Sequence, residues 1–131
     1  MPIQPGLNAE LTHLVTEKDS AKTYGSGLVP VLSTPLLIAL MESAAQSSVA
    51  AHLEPGTTTV GVAVDMRHLA ATPIGMQVRV YAELVEVDGR RLSFRVDAWD
   101  QVEKIGECKH ERFIIDTAHF MKRVSGKLQA L

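Results

Sequence analysis

The residue of this 131-residue chain that is best placed for chemistry is Glu42, a carboxylate that follows directly on an apolar run, residues 36–41. A charge in such surroundings is unfavourable unless it is paired or used by the protein. In an enclosed site, a carboxylate can act as a nucleophile or as a general base. We therefore take Glu42 as the centre of a candidate catalytic site.

The stretch that carries Glu42, residues 32–53, predicts one long helix with a sharp start. Thr34 is a good N-cap, because its hydroxyl can accept a hydrogen bond from one of the first free N–H groups. Pro35 suits the first helical position, where its missing N–H is not needed. Pro55 ends the helix. Since the segment is apolar nearly all round, we expect the rest of the chain to wrap around it.

The remainder of the chain predicts strands. After residue 56, apolar and polar residues alternate with period two, as is typical of half-buried antiparallel strands. Asp88 and Gly89 form a strong signal for a tight hairpin. A polar, glycine-containing loop, 17–30, precedes the helix, and the tail from residue 117 is basic and partly helical. The predicted strands span residues 7–16, 58–69, 77–87, 90–100 and 104–116.

Strict alternation along the strand at 58–69 decides which side chains face the helix. It places His68 on the helix-facing side, together with Val60, Val62, Val64 and Met66. The same alternation places Gly61 on the opposite side.

The bulk properties narrow the class of protein. The length fits a single domain, 1–131. The net charge of -2 lacks the excess of positive charge that is typical of nucleic-acid-binding proteins. No apolar run approaches the ~18 residues of a membrane span, and the first residues lack the features of a secretion signal. A single Cys108 cannot form an internal disulfide, and no Cys/His cluster has zinc spacing. We expect a cytoplasmic protein without a metal, a nucleic-acid partner or a membrane partner.

The order of elements is a strand, a loop, a long buried helix and four long antiparallel strands. This order favours the α+β class and, within it, the hot-dog fold, in which a curved antiparallel β-sheet wraps a long central helix. One helix leaves part of such a sheet uncovered. Hot-dog proteins generally dimerise edge to edge into a continuous sheet, and the resemblance to that fold leads us to expect the same homodimer here.

The chain resembles the hot-dog acyl-CoA thioesterases, and most closely the fluoroacetyl-CoA thioesterase family, over roughly residues 10–125. The spacings from Thr34 to Glu42 and from Gly61 to His68 fit that family without gaps. The matching stretches are Ser33-Thr34 with the apolar run to Glu42, 53–56, Gly61 with 68–75, 87–93, Gly106, and 110–112. The resemblance implies hydrolysis of a short or small acyl-CoA thioester to the free acid and CoA. It implies no cofactor, because coenzyme A is part of the substrate.

The resemblance also implies roles for individual residues. Thr34, Glu42 and His68 correspond to the three residues that act together on the thioester. Gly61 corresponds to a glycine beside the acyl group, and Arg112 to an arginine of the acyl pocket or binding site.

One position departs from the family pattern. The specialised enzyme carries an aromatic lid residue six positions before its catalytic threonine, where this chain has Leu28. The departure predicts a different or broader acyl preference.

Thioester hydrolysis needs a nucleophile, stabilisation of the oxyanion, and a proton for the leaving thiolate. Glu42 can attack directly or activate water, and the residues leave both routes open. His68 can orient the carboxylate or carry the proton, and Thr34 can hydrogen-bond the carboxylate or the substrate. Thr34 and Glu42 lie about 12 Å apart along one helix, so they cannot easily touch within one chain. The predicted site is therefore composite, with Thr34 from one protomer and Glu42 from the other.

Other functions and other roles stay open at this point. The fold also hosts acyl-thioester hydratases or dehydratases, and a non-catalytic acyl-CoA binding module would keep the pocket without turnover. Glu42 could mark where the helix reaches solvent, Thr34 could be only a cap, and His68 only a core histidine. We interpret the remaining histidines as structural or exposed, and Cys108 as non-nucleophilic; these histidines are His13, His52, His110 and His119.

Overall fold

The computed structural model describes residues 2–131, which form a five-stranded antiparallel sheet and two α-helices. In chain order the elements are β1 (Asn8–Leu14), a short 3₁₀ turn (Glu17–Asp19), α1 (Thr34–Ala50), β2 (Thr57–His68), β3 (Gln77–Asp88), β4 (Arg91–Trp99), β5 (Lys104–Asp116) and α2 (Thr117–Gln129). The strand order in the sheet is β1-β3-β4-β5-β2, so β1 and β2 are its edges. The predicted α+β order of one strand, one helix and four strands is confirmed.

Helix α1 packs one face onto the sheet. Leu37, Met41, Ala45 and Val49 follow the spacing of a single helical face, and each is at most 1% exposed. They meet the inward side chains of β3 and β4, such as Phe94.

The opposite face of α1 is open to solvent in this single chain. It carries Ala39, Ser43, Gln46 and Ser47, all of them exposed. The expectation that the chain wraps α1 all round is therefore wrong, because the sheet covers only one side of the helix. The helix also ends at Ala50, several residues before Pro55.

Close contact between α1 and β5 depends on Gly106. A Cβ atom at this position would lie 3.0 Å from the Met41 side chain and 3.1 Å from that of Leu37. The missing side chain lets the first half of α1 approach the strand.

The N-cap of α1 is Ser33, one residue before the predicted Thr34. The Ser33 hydroxyl accepts a hydrogen bond from the backbone N–H of Leu36 at 3.2 Å. Thr34 is the first helical residue, and Pro35 is the next one. Both Ser33 and Thr34 are good capping residues, so sequence preference could not choose between them. The shift frees the Thr34 hydroxyl for another contact.

A β-bulge in β2 changes which side chains face the helix. Gly61 pairs with Arg112 and Ala63 pairs with Glu111, so the register shifts at Val62. An extra residue in one strand reverses the alternation beyond it. Gly61 and His68 consequently share the helix-facing side of the sheet, although they are seven residues apart. The prediction that placed Gly61 on the opposite face, and Val60 on the helix-facing side, is wrong for this reason.

Strand β2 is an exposed edge. Its middle residues, 61–65, are exposed on both faces, with Val62 at 50% and Val64 at 41%. The C-terminal helix α2 follows β5 directly and buries none of its side chains. Across residues 2–131, neither helix has the length and apolar character needed to cross a bilayer.

The capping assignment predicts that Ser33→Ala lowers the free energy of unfolding by about 1 kcal/mol, because the Leu36 N–H loses its hydrogen-bond partner. Chemical denaturation measures the change. Ser43→Ala, the same substitution on the exposed face of the same helix, is the control and should change stability little. Equal effects of the two substitutions would contradict the assignment.

Candidate active site

The predicted site residues fall into two separate groups in this chain. The first, which we call the helix-start pair, consists of Thr34 and His68. The second, the carboxylate cluster, consists of Glu42 and the residues around it: Gly61, Arg112, His110 and Thr59.

In the helix-start pair, the Thr34 hydroxyl lies 2.8 Å from Nδ1 of His68. Thr34 is available because Ser33 caps the helix, and His68 faces α1, as the alternation along the strand predicted. The Nε2 atom of His68 is buried and has no hydrogen-bond partner in the described part of the chain. Burial lowers the pKa of His68 below its ordinary value, which favours the neutral ring at pH 7.

The centre of the carboxylate cluster is Arg112, whose side chain is only 9% exposed. Its Nη1 atom lies 3.6 Å from Oε2 of Glu42, which is itself 39% exposed. Its Nε atom donates to the Thr59 hydroxyl at 2.8 Å, and Nη2 donates to the Thr59 carbonyl at 3.1 Å. Burial lowers the pKa of the guanidinium, and the negative charge of Glu42 opposes that shift. The buried cation thus has a counter-charge and fixed hydrogen bonds, which a buried charge requires.

His110 completes the cluster from the strand side. Its ring is 1% exposed, with Nδ1 at 2.8 Å from the Ala63 carbonyl and Nε2 at 3.1 Å from Nη1 of Arg112. Burial, and to a lesser extent the charge of Arg112, lowers the pKa of His110. The ring is therefore a neutral, fully hydrogen-bonded part of the cluster.

Gly61 leaves the space that the Glu42 carboxylate occupies. A Cβ atom at residue 61 would lie 2.6 Å from Oε2 of Glu42 and 3.3 Å from Nη1 of Arg112. Real Cβ atoms do not approach oxygen so closely, so any side chain here would displace the carboxylate. The need for glycine at this position comes from this close approach.

The two groups lie apart within one chain. Thr34 and Glu42 are eight residues apart in α1, which corresponds to about 12 Å along the helix axis. Gly61 and His68 are separated by roughly 20 Å along β2. Glu42 therefore lies near Gly61 at one point of β2, and Thr34 lies near His68 at its end. A single chain does not bring Glu42 to Thr34 and His68.

Sequence reasoning missed His110 and Thr59. We expected His110 to be structural or exposed, yet it is one of the largest fully buried side chains. A usable signal was present, since His110 and Arg112 are two apart in a strand and must share a face. The role of Thr59 had no such signal, because it depends on the pairing of β2 with β5.

Leu28 lies in the loop between the 3₁₀ turn and α1, and its side chain is 89% exposed. The buried Cys108 thiol has its pKa raised to about 11 by desolvation, which makes it a poor nucleophile. Among residues 2–131, no group of three or more His, Cys, Asp and Glu side chains is arranged to hold a metal ion.

Comparisons with known proteins show the family of the chain. The fluoroacetyl-CoA-specific thioesterase family matches residues 15–118. The fluoroacetyl-CoA thioesterase of Streptantibioticus cattleyicolor is 45% identical over 100 residues, which is 76% of this chain and 72% of that protein. The three elements that carry the two groups, α1, β2 and β5, lie within the matched region.

Two solved structures extend the likeness to the whole fold. A mutant of the fluoroacetyl-CoA enzyme in complex with acetyl-CoA has a TM-score of 0.89 at 35% identity, covering 95% of this chain and 98% of that one. A thioesterase superfamily member from Thermus thermophilus has a TM-score of 0.89 at 30% identity, covering 99% of this chain and 98% of that one. The predicted hot-dog fold is confirmed.

The close approach at residue 61 predicts that Gly61→Ala reduces kcat/KM for an acyl-CoA by about 100-fold, because the methyl group displaces the Glu42 carboxylate by roughly 1 Å. Release of free thiol, followed with a colour reagent, measures the rate. The control is Gly126→Ala, at an exposed position in α2 with open space around it, which should leave activity unchanged. Full activity of the Gly61 variant would show that the carboxylate position does not matter.

Proposed function

Since this chain belongs to the fluoroacetyl-CoA-specific thioesterase family, we propose that it hydrolyses a short or small acyl-CoA thioester to the free acid and coenzyme A. The acetyl-CoA bound to its structural relative supports an acyl-CoA as the ligand. The reaction needs only water as the second substrate, so we propose that no cofactor takes part.

The observation that carries the proposal is the Glu42 carboxylate, held 3.6 Å from a buried guanidinium and opposite a glycine. The positive charge of Arg112 faces the carboxylate, on which both possible routes depend. Glu42 either attacks the thioester carbonyl directly or takes a proton from the attacking water. The absence of a side chain at Gly61 gives the carboxylate its place, and we propose that a small acyl group binds next to the two residues.

We propose that His68 and Thr34 handle the leaving group. A neutral imidazole can relay to the departing thiolate the proton that Glu42 takes from the attacking water or, in the direct route, a proton from solvent water. The hydrogen bond from Nδ1 to the Thr34 hydroxyl fixes the orientation of the ring. The buried Nε2 atom has no partner in the described chain and remains free for the substrate or for water.

These two halves work together only if they come from different protomers. We propose a homodimer in which the helix-start pair of one chain faces the carboxylate cluster of its partner. The exposed edge strand β2 supports this arrangement, because an unpaired edge with exposed valines at 62 and 64 is suited to pairing with another strand. The solvent-exposed face of α1 lies open on the same single chain.

The acyl preference is a separate part of the proposal. Leu28 stands where the specialised enzyme carries an aromatic lid residue, and its side chain is exposed in the loop before α1. An aliphatic side chain covers less area than an aromatic ring and has no fixed plane. We propose that this lid closes less tightly over the acyl group, and that the enzyme accepts several short acyl-CoAs rather than fluoroacetyl-CoA alone.

The experiment that tests the function offers the purified protein a panel of acyl-CoAs, from acetyl and fluoroacetyl to longer chains, and follows thiol release. We expect release with short acyl groups, and a loss of at least about 1000-fold in kcat for Glu42→Gln. Glu103→Gln, at an exposed turn, is the matched control and should retain full activity.

Two results would overturn the proposal. Binding of acyl-CoAs without thiol release on any of them would identify a non-catalytic module. Hydration or formation of a double bond without thiol release would identify a hydratase or dehydratase.

A further inference from the structure

His110 is a buried histidine whose two ring nitrogens both have partners of fixed type. A carbonyl oxygen can only accept a hydrogen bond, so the contact with the Ala63 carbonyl places the hydrogen on Nδ1. In the neutral ring, Nε2 then carries a lone pair. That lone pair faces Nη1 of Arg112 at 3.1 Å, and a guanidinium nitrogen can only donate.

The Nη1 atom of Arg112 is also the atom nearest to Glu42. It carries two hydrogens, which are directed to Nε2 of His110 and towards Oε2 of Glu42. The other side of the guanidinium is fixed by Thr59, through its hydroxyl and its carbonyl. Without an acceptor at residue 110, Nη1 of Arg112 would have the Glu42 carboxylate as its only partner.

We propose that His110 is a positioning residue, whose Nε2 lone pair holds the Arg112 guanidinium in the orientation that directs Nη1 to Glu42. The proposal rests on the proposed catalytic role of Glu42, with which His110 makes no hydrogen bond. The bulge in β2 takes part, because Ala63 follows the register shift at Val62 and its carbonyl determines which nitrogen of the ring carries the hydrogen.

The surroundings keep the ring in the required state. Burial and the neighbouring guanidinium both lower the pKa of His110, so the lone pair is present at neutral pH. The Phe94 ring lies 6.0 Å away, centroid to centroid, and restricts the tilt of the imidazole. This packing also gives His110 a structural role, which the test must separate from positioning.

The test compares two substitutions of similar length and volume, His110→Gln and His110→Met. The glutamine amide can present an oxygen acceptor to Nη1 near the place of Nε2, whereas methionine offers only a weak sulfur acceptor. We expect kcat for a short acyl-CoA to fall about tenfold or more in the methionine variant, with little change in KM. The glutamine variant should stay much closer to the parent enzyme.

A third variant, His110→Asn, gives an independent comparison. Its shorter amide can replace the donor to Ala63 but has no acceptor at the place of Nε2, so its kcat should match that of the methionine variant. The thermal midpoint of each variant is measured in parallel. His119→Met, at an exposed histidine of α2, is the control and should retain parental kcat and thermal midpoint.

The outcomes separate this inference from the proposed function. Equal kcat in the glutamine, methionine and asparagine variants, or a loss of kcat that follows only the thermal midpoint, would overturn the positioning role. Parental kcat in Glu42→Gln would instead overturn the proposed function. An inactive Glu42→Gln enzyme, with only the glutamine variant of His110 close to parental kcat, supports both.

Discussion

The buried guanidinium of Arg112 allows a carboxylate to stand between the helix and the sheet. Removing either charge would leave the other partly desolvated and without its partner, so the two positions depend on each other. The surrounding structure fits this requirement. Thr59 supplies two acceptors, His110 a third, and Gly61 the space for the carboxylate.

This arrangement also restricts the placement of α1 along the sheet. Glu42 must lie opposite Gly61, while Gly106 lets the preceding turns of the helix approach β5 closely. With the helix so placed, its first residue, Thr34, meets the far end of β2 at His68. The helix-start pair and the carboxylate cluster therefore both lie along α1 and β2, and the length of these two elements keeps them apart within one chain. A second copy of the chain is the arrangement we propose to bring them together.

Much of this architecture could be predicted from the sequence. Period-two alternation predicted the first and last residues of β5 correctly. It predicted the ends of the other strands to within two residues, because long half-buried strands have a strong pattern. Glu42 was identifiable because a lone carboxylate after an apolar run is unusual. These features are local, and local chemistry is what a single sequence displays.

The remaining features depend on contacts between distant segments. The bulge at Val62 is preceded directly by Gly61, but a glycine in a strand can equally signal close packing, so the register shift follows only from the pairing of β2 with β5. The partners of Arg112 could not be predicted for the same reason, since the pairing of β2 with β5 brings Thr59 next to it. The cap is Ser33 rather than Thr34, and the Thr34 hydroxyl instead contacts His68, which lies 34 residues away and which no local pattern connects to it.

If the helix-start pair and the carboxylate cluster act across two protomers, a mixed dimer of two inactive variants regains activity. Thr34→Ala and Glu42→Ala chains, each inactive alone, are co-expressed with different tags, and the heterodimer is isolated by two affinity steps. If each site combines Thr34 of one chain with Glu42 of the other, one site of the heterodimer keeps both native residues and the other site has lost both. We therefore expect about half of the parental kcat per dimer. A heterodimer as inactive as its parents would show that each site lies within one chain.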